Sequence, residues 1–408
     1  MDPPRAEPSA EVDRARAAAS RGICDTCLGR LFGPHVKGES SSVRGAALRE
    51  RAALPAKESA ECWLCEGTCG DYAALAAVAE AALSGHEFQT LLVGTTVDPV
   101  LERREAQLCG ELGLAEVRPL RQEVNREVGL ALEAKLGKAV DFKDPDIAVH
   151  LDARFNTATL QVKSAYFRGR YRKLERGVPQ TRWPCRSCRG RGCSRCGGTG
   201  KMYDTSVEEI VAVPLMRLLG GEEHALHGAG REDVDALMLG RGRPFIVEIR
   251  RPRARTLDEA KAIPAIAAEA RGRVEVLDLT PCARADVALL KDSDWEKTYR
   301  VLVSLEKDIK DDQINRVCAE LSGCVIDQQT PTRVAHRRAD LVRKRRATSV
   351  RMRSKQGPAI ELEITGQSGL YVKEFIHGDE GRTNPSFSKL LGVACEVREL
   401  DVLEIHDR

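Results

Sequence analysis

The sequence is organised around the stretch Gly228–Asp235, which reads GAGREDVD and leads into the alternating run Phe245–Ile249. Glycines allow a backbone to turn tightly and to approach a ligand closely. Arg231 stands beside Asp233 and Asp235, and a neighbouring guanidinium keeps a carboxylate ionised at neutral pH. The stretch therefore predicts a loop that could hold a nucleophilic or basic aspartate, although such a pair is more commonly a solvated ion pair.

Two later stretches supply aromatic and basic side chains that could complete a site with this loop. Lys297–Arg300 opens a second alternating strand that includes Tyr299, and Gly369–Glu374 supplies Tyr371 and a lysine. On pattern alone, tyrosines at strand positions are more commonly core residues than catalysts. The order of the three stretches along the chain is what makes them informative.

The order Gly-Arg-x-Asp, then Lys-x-Tyr, then Gly-x-Tyr-hydrophobic-basic, resembles the active-site motifs of pseudouridine synthases. Three longer stretches are similar in sequence to the archaeal tRNA pseudouridine synthases that act on the T arm, namely Gly230–Asp235, Arg243–Phe245 and Lys373–Thr383. This resemblance runs from about Gly22 to the C-terminus. It implies isomerisation of uridine to pseudouridine at tRNA positions 54 and 55, without a redox step or an organic cofactor.

The resemblance also implies roles for individual residues. Asp233 would be the catalytic carboxylate, attacking the anomeric carbon of the ribose or acting as a base at the neighbouring carbon, with Asp235 as its nearest rival. Tyr299 would stack on the flipped target base, and Lys373 would pair with the catalytic aspartate. The remaining expected contacts to the substrate in this region are Arg231, Tyr371 and Val372.

Charge gives only a local indication of nucleic-acid binding. The 408-residue chain is 42% hydrophobic and 31% charged with a net charge of +3, so no global argument for RNA follows. A local argument comes from a basic run that is either a solvated face or an RNA contact. The cations of this run are Arg333, Arg337, Arg338, Arg343, Lys344, Arg345 and Arg346.

Eight of the fourteen cysteines form four Cys-x-x-Cys pairs, which favours metal sites over disulfides in a reducing compartment. We expect structural zinc at each of two sets. The first set is Cys24, Cys27, Cys62 and Cys65, with Cys69 as a possible competitor. The second set is Cys185, Cys188, Cys193 and Cys196, whose interleaved glycines follow the repeat of DnaJ-type cysteine-rich domains. The alternative is reduced pairs without metal.

Between the two cysteine sets the pattern indicates an α/β unit. Helices are predicted over Asp71–Leu83 and Glu123–Leu136, and strands near Phe88–Val93, 147–151 and 160–162. The unit is expected to end in a segment where rings alternate with cations, as on RNA-binding surfaces, or else in a core edge with a basic rim. Its candidate RNA contacts are Tyr166, Arg168, Arg170 and Arg172. The unit resembles a THUMP domain, which implies RNA binding.

These observations give an α+β protein with five regions. They are residues 1–20, with a disordered start and a short helix; 21–70, a zinc ribbon; 71–180, the THUMP-like domain; 181–202, a cysteine-rich zinc loop; and 203–408, the catalytic domain. The catalytic domain opens with a capping box at Ser206. Its strands and helices do not alternate strictly, which indicates a mixed, largely antiparallel sheet.

The sequence shows no signal peptide and no apolar run of the roughly 18 residues that a membrane span needs. We therefore expect a cytoplasmic protein whose partner is tRNA. Two alternatives stay open: another THUMP-bearing enzyme, such as a tRNA methyltransferase or thiolation enzyme, and a non-catalytic zinc-dependent RNA-binding module.

Overall fold

The computed structural model describes residues 8–32, 39–337 and 339–407. The chain divides into two compact units: Met1–Lys163 with Arg253–Arg255, and Ser164–Pro252 with Thr256–Arg408. In the described ranges, no helix is both long enough and apolar enough to cross a membrane.

The first unit begins with helices and short turns. Its helices are α1 (Pro8–Ala19), α2 (Asp25–Leu31), α3 (Ser41–Arg51), α4 (Tyr72–Leu83), α5 (Pro99–Leu112) and α6 (Leu120–Leu136). Local signals fix their ends: Asp98 caps α5 by accepting from the Val100 amide, and Pro99 occupies its first turn. The disordered start expected within residues 1–20 is wrong from Pro8 onward, where α1 begins, and the seven residues before it lie outside the described ranges.

A four-stranded sheet completes this unit. Its strands are β1 (Thr90–Thr96), β2 (Ala139–Val140), β3 (Ile147–Asp152) and β4 (Thr157–Val162), in the order β2-β1-β3-β4. The turn between β3 and β4 contains Asn156 with a φ of 50°. Helix α6 buries its every-fourth-residue stripe, including Val124, Val128 and Leu132, in the same core as α4 and β3. The helices and strands predicted for the α/β unit are therefore confirmed.

The second unit contains a ten-stranded sheet, and the expected mixed, largely antiparallel character is confirmed. Its strands are β5 (Ala165–Lys173), β6 (Glu223–Gly228), β7 (Leu237–Arg250), β8 (Val274–Cys282), β9 (Lys297–Leu305), β10 (Val325–Gln329), β11 (Val342–Gln356), β12 (Ala359–Gly366), β13 (Thr383–Asn384) and β14 (Cys395–Ile405). The order is β13-β10-β11-β12-β9-β14-β7-β5-β8, with β6 paired to β7. Only the β14–β7 pairing is parallel among these described pairs.

Strand β5 lies in a different place from the one the sequence suggested. We expected Ala165–Leu174 to end the THUMP-like unit, but β5 pairs antiparallel with both β7 and β8 in the sheet of the second unit. Its buried positions, including Phe167 and Tyr171, pack inside that unit. The segment therefore supports the loop around Asp233 rather than closing the first unit.

The helices of the second unit are α7 (Val207–Leu219), α8 (Glu259–Ala270), α9 (Ala285–Lys291), α10 (Asp311–Leu321), α11 (Val372–His377) and α12 (Phe387–Leu391). The predicted N-cap at Ser206 is confirmed, because the Ser206 hydroxyl accepts from the Glu209 amide at 3.2 Å and donates to the Glu209 carboxylate at 2.8 Å. The strand position expected for Tyr371 is wrong: Tyr371 is the N-cap residue of α11. Part of the basic run forms strand β11.

Candidate active site and cysteine clusters

The Gly-Arg-x-Asp motif forms the loop between β6 and β7. These two strands pair from Glu223–Arg250 to Gly228–Phe245, so the loop leaves and re-enters the sheet at one end. Gly230 has a φ of 79°, and a Cβ atom there would lie 3.1 Å from an Arg243 guanidinium nitrogen. Glycine is therefore required at this position both for its backbone angle and for the close approach of Arg243.

On its interior side the loop is held by a buried charged cluster. The Glu232 carboxylate lies 2.8 Å from the Arg243 guanidinium and accepts the Tyr171 hydroxyl at 2.9 Å. Arg243 also donates to the Ala229 carbonyl at 2.5 Å. Burial alone would lower the pKa of Arg243, but Glu232 and Tyr171 outweigh it and raise that pKa. This cluster fixes the backbone on both sides of Arg231.

A buried lysine from β5 holds the next part of the loop. The Lys173 ammonium group donates to the carbonyls of Val178, Asp233 and Val234 at 2.8, 3.1 and 3.2 Å. Burial is the main reason that the pKa of Lys173 is lowered. Because one of these carbonyls belongs to Asp233 itself, Lys173 sets the position from which the Asp233 side chain projects.

On its cleft side the loop presents Asp233 between two cations. One Asp233 oxygen accepts from an Arg333 guanidinium nitrogen at 3.2 Å, and the other lies 3.4 Å from the Lys373 ammonium nitrogen. Lys373 also donates to Asp235 at 2.9 Å. The Asp233 side chain is 33% exposed and that of Asp235 is 68% exposed. Burial opposes ionisation of Asp235, but the hydrogen bond and charge of Lys373 prevail and lower its pKa.

Strand β9 adds a tyrosine and a lysine to the floor of the same cleft. Lys297 and Tyr299 alternate onto the buried face of the strand. Burial, with a smaller contribution from the negative charge of Asp233, raises the pKa of Tyr299 to about 12 despite the opposing charge of Arg243. Burial and the charge of Arg243 lower the pKa of Lys297 to about 8. The Lys297 ammonium group donates to the Trp295 carbonyl at 3.0 Å and the Ser368 hydroxyl at 3.2 Å.

These side chains surround a cleft of about 480 Å³, a size typical of small-molecule sites. Its lining includes the residues to which the motifs gave a role at the catalytic centre, namely Arg231, Asp233, Tyr299, Tyr371, Val372 and Lys373, and it also includes Arg333. The structure thus brings together three stretches that are far apart in the sequence. A carboxylate, two cations and a buried ring around one cavity could act on a polar substrate with a flat, stackable group.

The other predicted RNA contacts lie elsewhere. Arg170 donates to Asp407 and to the carbonyls of Arg241 and Gly242, and Arg172 pairs with Glu275 at 2.5 Å. Tyr166 donates to Glu248 at 3.3 Å and Arg168 to Thr280 at 3.3 Å. These β5 side chains are thus engaged within the second unit. The Arg337 side chain and all of Arg338 lie outside the described residues.

Three residues of the cleft had no role, or a different one, in the sequence-based prediction. Arg333 was expected only to contact RNA, yet it binds Asp233 and the buried Glu374, the latter at 2.7 Å. Lys297 is part of the Lys-x-Tyr motif, and its strand period of two could have placed it beside Tyr299. Trp183 gave no such signal, because it stands outside the three motif stretches of the sequence.

The first cysteine set is brought together inside the first unit. The sulfur atoms of its four predicted members lie within 4.8 Å of one another, and all four residues are buried. Cys24 caps α2, and a turn at Ser59–Glu61 precedes Cys62. The set is therefore carried by helices and turns rather than by a β-ribbon. The Cys69 sulfur lies 3.9 Å from that of Cys27.

The second cysteine set closes on itself in the loop before α7. Its four sulfur atoms also lie within 4.8 Å of one another. The amides of Gly192 and Gly200 donate to the Cys188 and Cys196 sulfurs at 3.2 Å each, as in metal-binding knuckles. A bridge between Pro184 and Lys201 ties the two ends of the loop together. Either set could hold one metal ion in its four thiolates.

Comparison with known proteins gives a consistent result. Residues 166–406 match the family described as Pus10, C-terminal, and residues 75–152 match the Pus10 THUMP domain, archaeal. Three relatives share the name tRNA pseudouridine synthase Pus10. That of Halorubrum lacusprofundi is 42% identical over 96% of this chain and 95% of its own length. The relatives from Methanothrix thermoacetophila and Methanothermobacter marburgensis are 39% and 42% identical, covering 94% of this chain and 91% and 95% of their own lengths.

Proposed function

Because the chain belongs to the Pus10 family of tRNA pseudouridine synthases, we propose that it converts uridine to pseudouridine in the T arm of tRNA, at positions 54 and 55. The family establishes pseudouridine synthesis as the reaction. The substrate, the target positions and the roles of individual side chains belong to the proposal. One observation carries it: Asp233 stands between Arg333 and Lys373 in a cleft floored by Tyr299.

Asp233 is the residue that we propose to begin the reaction. The two cations pair with its carboxylate and orient it, so that a carboxylate oxygen can attack the anomeric carbon or remove a proton from the neighbouring ribose carbon. Either route breaks the bond between that carbon and the base nitrogen, and the bonding electrons leave with the uracil. Lys173 holds the Asp233 backbone at 3.1 Å, which limits the reorganisation needed.

The detached uracil must then turn within the cleft before carbon 5 bonds to the ribose. When carbon 5 bonds to the anomeric carbon, the ester bond to Asp233 breaks on the first route, whereas on the second route Asp233 returns its proton to the neighbouring ribose carbon. Carbon 5 then loses its own proton, and the proton released balances the one taken up by the base nitrogen. Tyr299 offers a buried ring on which the base can stack while it turns. Tyr371 and Val372 line the same cleft. These residues keep the base in place between bond cleavage and bond formation.

We further propose that both cysteine sets hold structural zinc. A tetrahedral zinc site with sulfur ligands at about 2.3 Å requires sulfur atoms roughly 3.8 Å apart. The Cys24 and Cys65 sulfurs are 3.9 Å apart, as are the Cys185 and Cys193 sulfurs. Zinc would organise the two segments and take no part in the reaction. Reduced thiolate sites suit the cytoplasm, where we expect the enzyme to act.

The proposed function is tested with an unmodified tRNA transcript and two variant transcripts that carry cytidine at position 54 or at position 55. Pseudouridine is mapped along the RNA after incubation with the purified protein. We expect modification at both positions in the first transcript and at the single remaining uridine in each variant. Modification confined to uridines outside the T arm would contradict the proposed target while leaving the reaction in place. Metal content of the same preparation identifies the bound ion.

A further inference from the structure

The second cysteine set lies in an unusually basic segment. The stretch Arg182–Lys201, named here the cysteine module, contains six cationic residues and no aspartate or glutamate. Its cations are Arg182, Arg186, Arg189, Arg191, Arg195 and Lys201. The sequence analysis singled out the module only for its cysteines, and the proposed reaction uses none of these cations.

The arginines of the module differ from most of the other basic side chains described above. All five are exposed, and within the described residues none of them forms an ion pair, whereas Lys201 pairs with Glu209. Arg191 and Arg195 make only local hydrogen bonds, to the Cys188 carbonyl and the Ser187 hydroxyl. On β5, by contrast, Arg170 and Arg172 are engaged by carboxylates. The arginines of the module are therefore available to an external anion.

The positive charge of the cysteine module exceeds the negative charge of the metal site that the module would hold. Four thiolates around one divalent ion carry a net charge of −2, because four negative charges meet two positive ones. Because Lys201 already pairs with Glu209, the five arginines leave an excess of three positive charges after that compensation. Such an excess on an exposed loop attracts a polyanion.

The cysteine module begins and ends beside the candidate active site. Trp183, at its start, lines the same cleft as Asp233 and Tyr299. The guanidinium of Arg231, from the Gly-Arg-x-Asp motif, lies over the Trp183 ring at 5.2 Å from its centroid. The bridge between Pro184 and Lys201 closes the module directly after Trp183. The exposed arginines are thus attached to one wall of the cleft by only a few residues.

We propose that the cysteine module is an RNA-binding surface that contacts the phosphate backbone next to the uridine in the cleft. This inference rests on the proposed function and adds a substrate contact to it. Guanidinium groups pair with phosphate oxygens in a bidentate manner, and the metal-bound knuckles give the arginines a rigid support. The metal therefore acts on substrate binding through the fold of the module.

The test compares three proteins in binding an unmodified tRNA transcript over a range of salt concentrations. They are the wild type, the module variant R186Q/R189Q/R191Q, and a control variant R271Q/K307Q/R316Q. The control removes the same charge from exposed positions that do not line the cleft. Each phosphate contact contributes about 0.7 to the slope of log affinity against log salt. We expect the module variant to lower that slope by about 2 and the control to leave it unchanged.

Kinetics supply a second readout. The module variant should raise KM, while its single-turnover rate at saturating RNA stays at the wild-type value, because the cations hold RNA and do not touch the reacting atoms. The metal-to-protein ratio shows whether the module is still folded. If the module variant loses metal, Arg182→Gln, which lies before the first cysteine of the module, replaces it with an expected slope change of about 0.7.

A module variant, or its Arg182→Gln substitute, that matches the control variant in salt slope and KM overturns the inference. The result is independent of the proposed function, because the binding measurement does not need a reaction. If the wild type forms no pseudouridine in the T arm and the slope still falls in the module variant, the target is wrong and the RNA surface stands. If pseudouridine forms and the slope does not fall, the surface is wrong and the target stands.

Discussion

On both sides of the Asp233 loop a carboxylate pairs with a cation, but the pair on one side is buried and the pair on the other side is open to the cleft. On the interior side, Glu232 and Arg243 form a charged pair in which each side chain is 1% exposed. On the cleft side, Asp233 pairs with Arg333 and Lys373 while its side chain stays 33% exposed. The two carboxylates are adjacent in sequence. A carboxylate with a nearby cation is therefore not diagnostic of catalysis, and its access to the cleft is what separates the two cases.

The interior side also explains how the cleft side is positioned. Arg243 and Lys173 bind backbone carbonyls of the loop, at Ala229 and at Asp233 and Val234. These bonds fix the backbone before any substrate arrives. The division predicts that interior substitutions lower stability, and that cleft substitutions lower the reaction rate with little loss of stability.

The largest effect on stability is expected for Arg243→Met. The change leaves the buried charge of Glu232 without its partner, which costs about 3–5 kcal/mol of unfolding free energy. Chemical denaturation followed by circular dichroism measures it. The matched control is Arg241→Met, because Arg241 is exposed and pairs with Glu404 at the surface, a pair worth less than about 1 kcal/mol. Equal losses in the two variants would remove the distinction between interior and exposed pairs.

The next largest effect is a pH dependence of the unfolding free energy. We expect it to come from Lys297, which lies near Arg243 of the buried charged cluster. Its folded pKa of about 8 lies below that of an ordinary lysine, so the unfolded chain binds more protons between about pH 8 and about pH 10.4. The unfolding free energy of the wild type should therefore rise with pH across that window, relative to Lys297→Met, by up to about 3 kcal/mol. Denaturation at several pH values tests this, and parallel profiles for the two proteins would contradict it.

A smaller effect, on rate alone, is expected for Lys373→Met. The change removes one of the two cations beside Asp233, an ion pair at 3.4 Å, and two unit charges about 4 Å apart near a protein surface interact by between about 1 and about 4 kcal/mol. The single-turnover rate of pseudouridine formation should fall roughly 10- to 100-fold, while the denaturation midpoint stays unchanged. Lys389→Met, at an exposed position of α12, serves as the control. A loss of stability without a loss of rate would place Lys373 on the structural side.

The smallest effect is expected for Asp235→Asn. Its side chain is 68% exposed and shares Lys373 with Asp233, so its loss should change stability by less than about 0.5 kcal/mol. The rate should fall less than about threefold, since that corresponds to a similar free energy. Rate measurements beside Asp233→Asn decide between the two aspartates. A larger rate loss in Asp235→Asn would exchange their roles.

The sequence predicted those parts of the fold whose signals are local. Helices α6 and α7 follow an apolar period and a capping box, and both are present. Strand β5 was misplaced because only two residues separate it from β4, while its partners β7 and β8 lie more than sixty residues further along the chain. Strand β11 was missed because nearly half of its positions are basic, so a basic run concealed the strand.

The site shows the same limit. Motif order identified Asp233, Tyr299 and Lys373, and the structure places all three around one cleft. The second cation on Asp233 could not be predicted, because Arg333 reaches it from a hundred residues away in sequence and also binds Glu374. Trp183 also lines the cleft, and it was not predicted because it stands outside the three motif stretches. The types of chemical group in the site could be predicted from the residue types. Their positions relative to one another could be determined only from the folded chain.

The most direct test of the central claim is the single-turnover rate of pseudouridine formation in an unmodified tRNA transcript by Asp233→Asn. The substitution keeps the size of the side chain and removes its charge. We expect the rate to fall by at least about a thousandfold, with RNA affinity and denaturation midpoint at wild-type values. A rate within about tenfold of the wild type would contradict the assignment of Asp233 as the residue that begins the reaction.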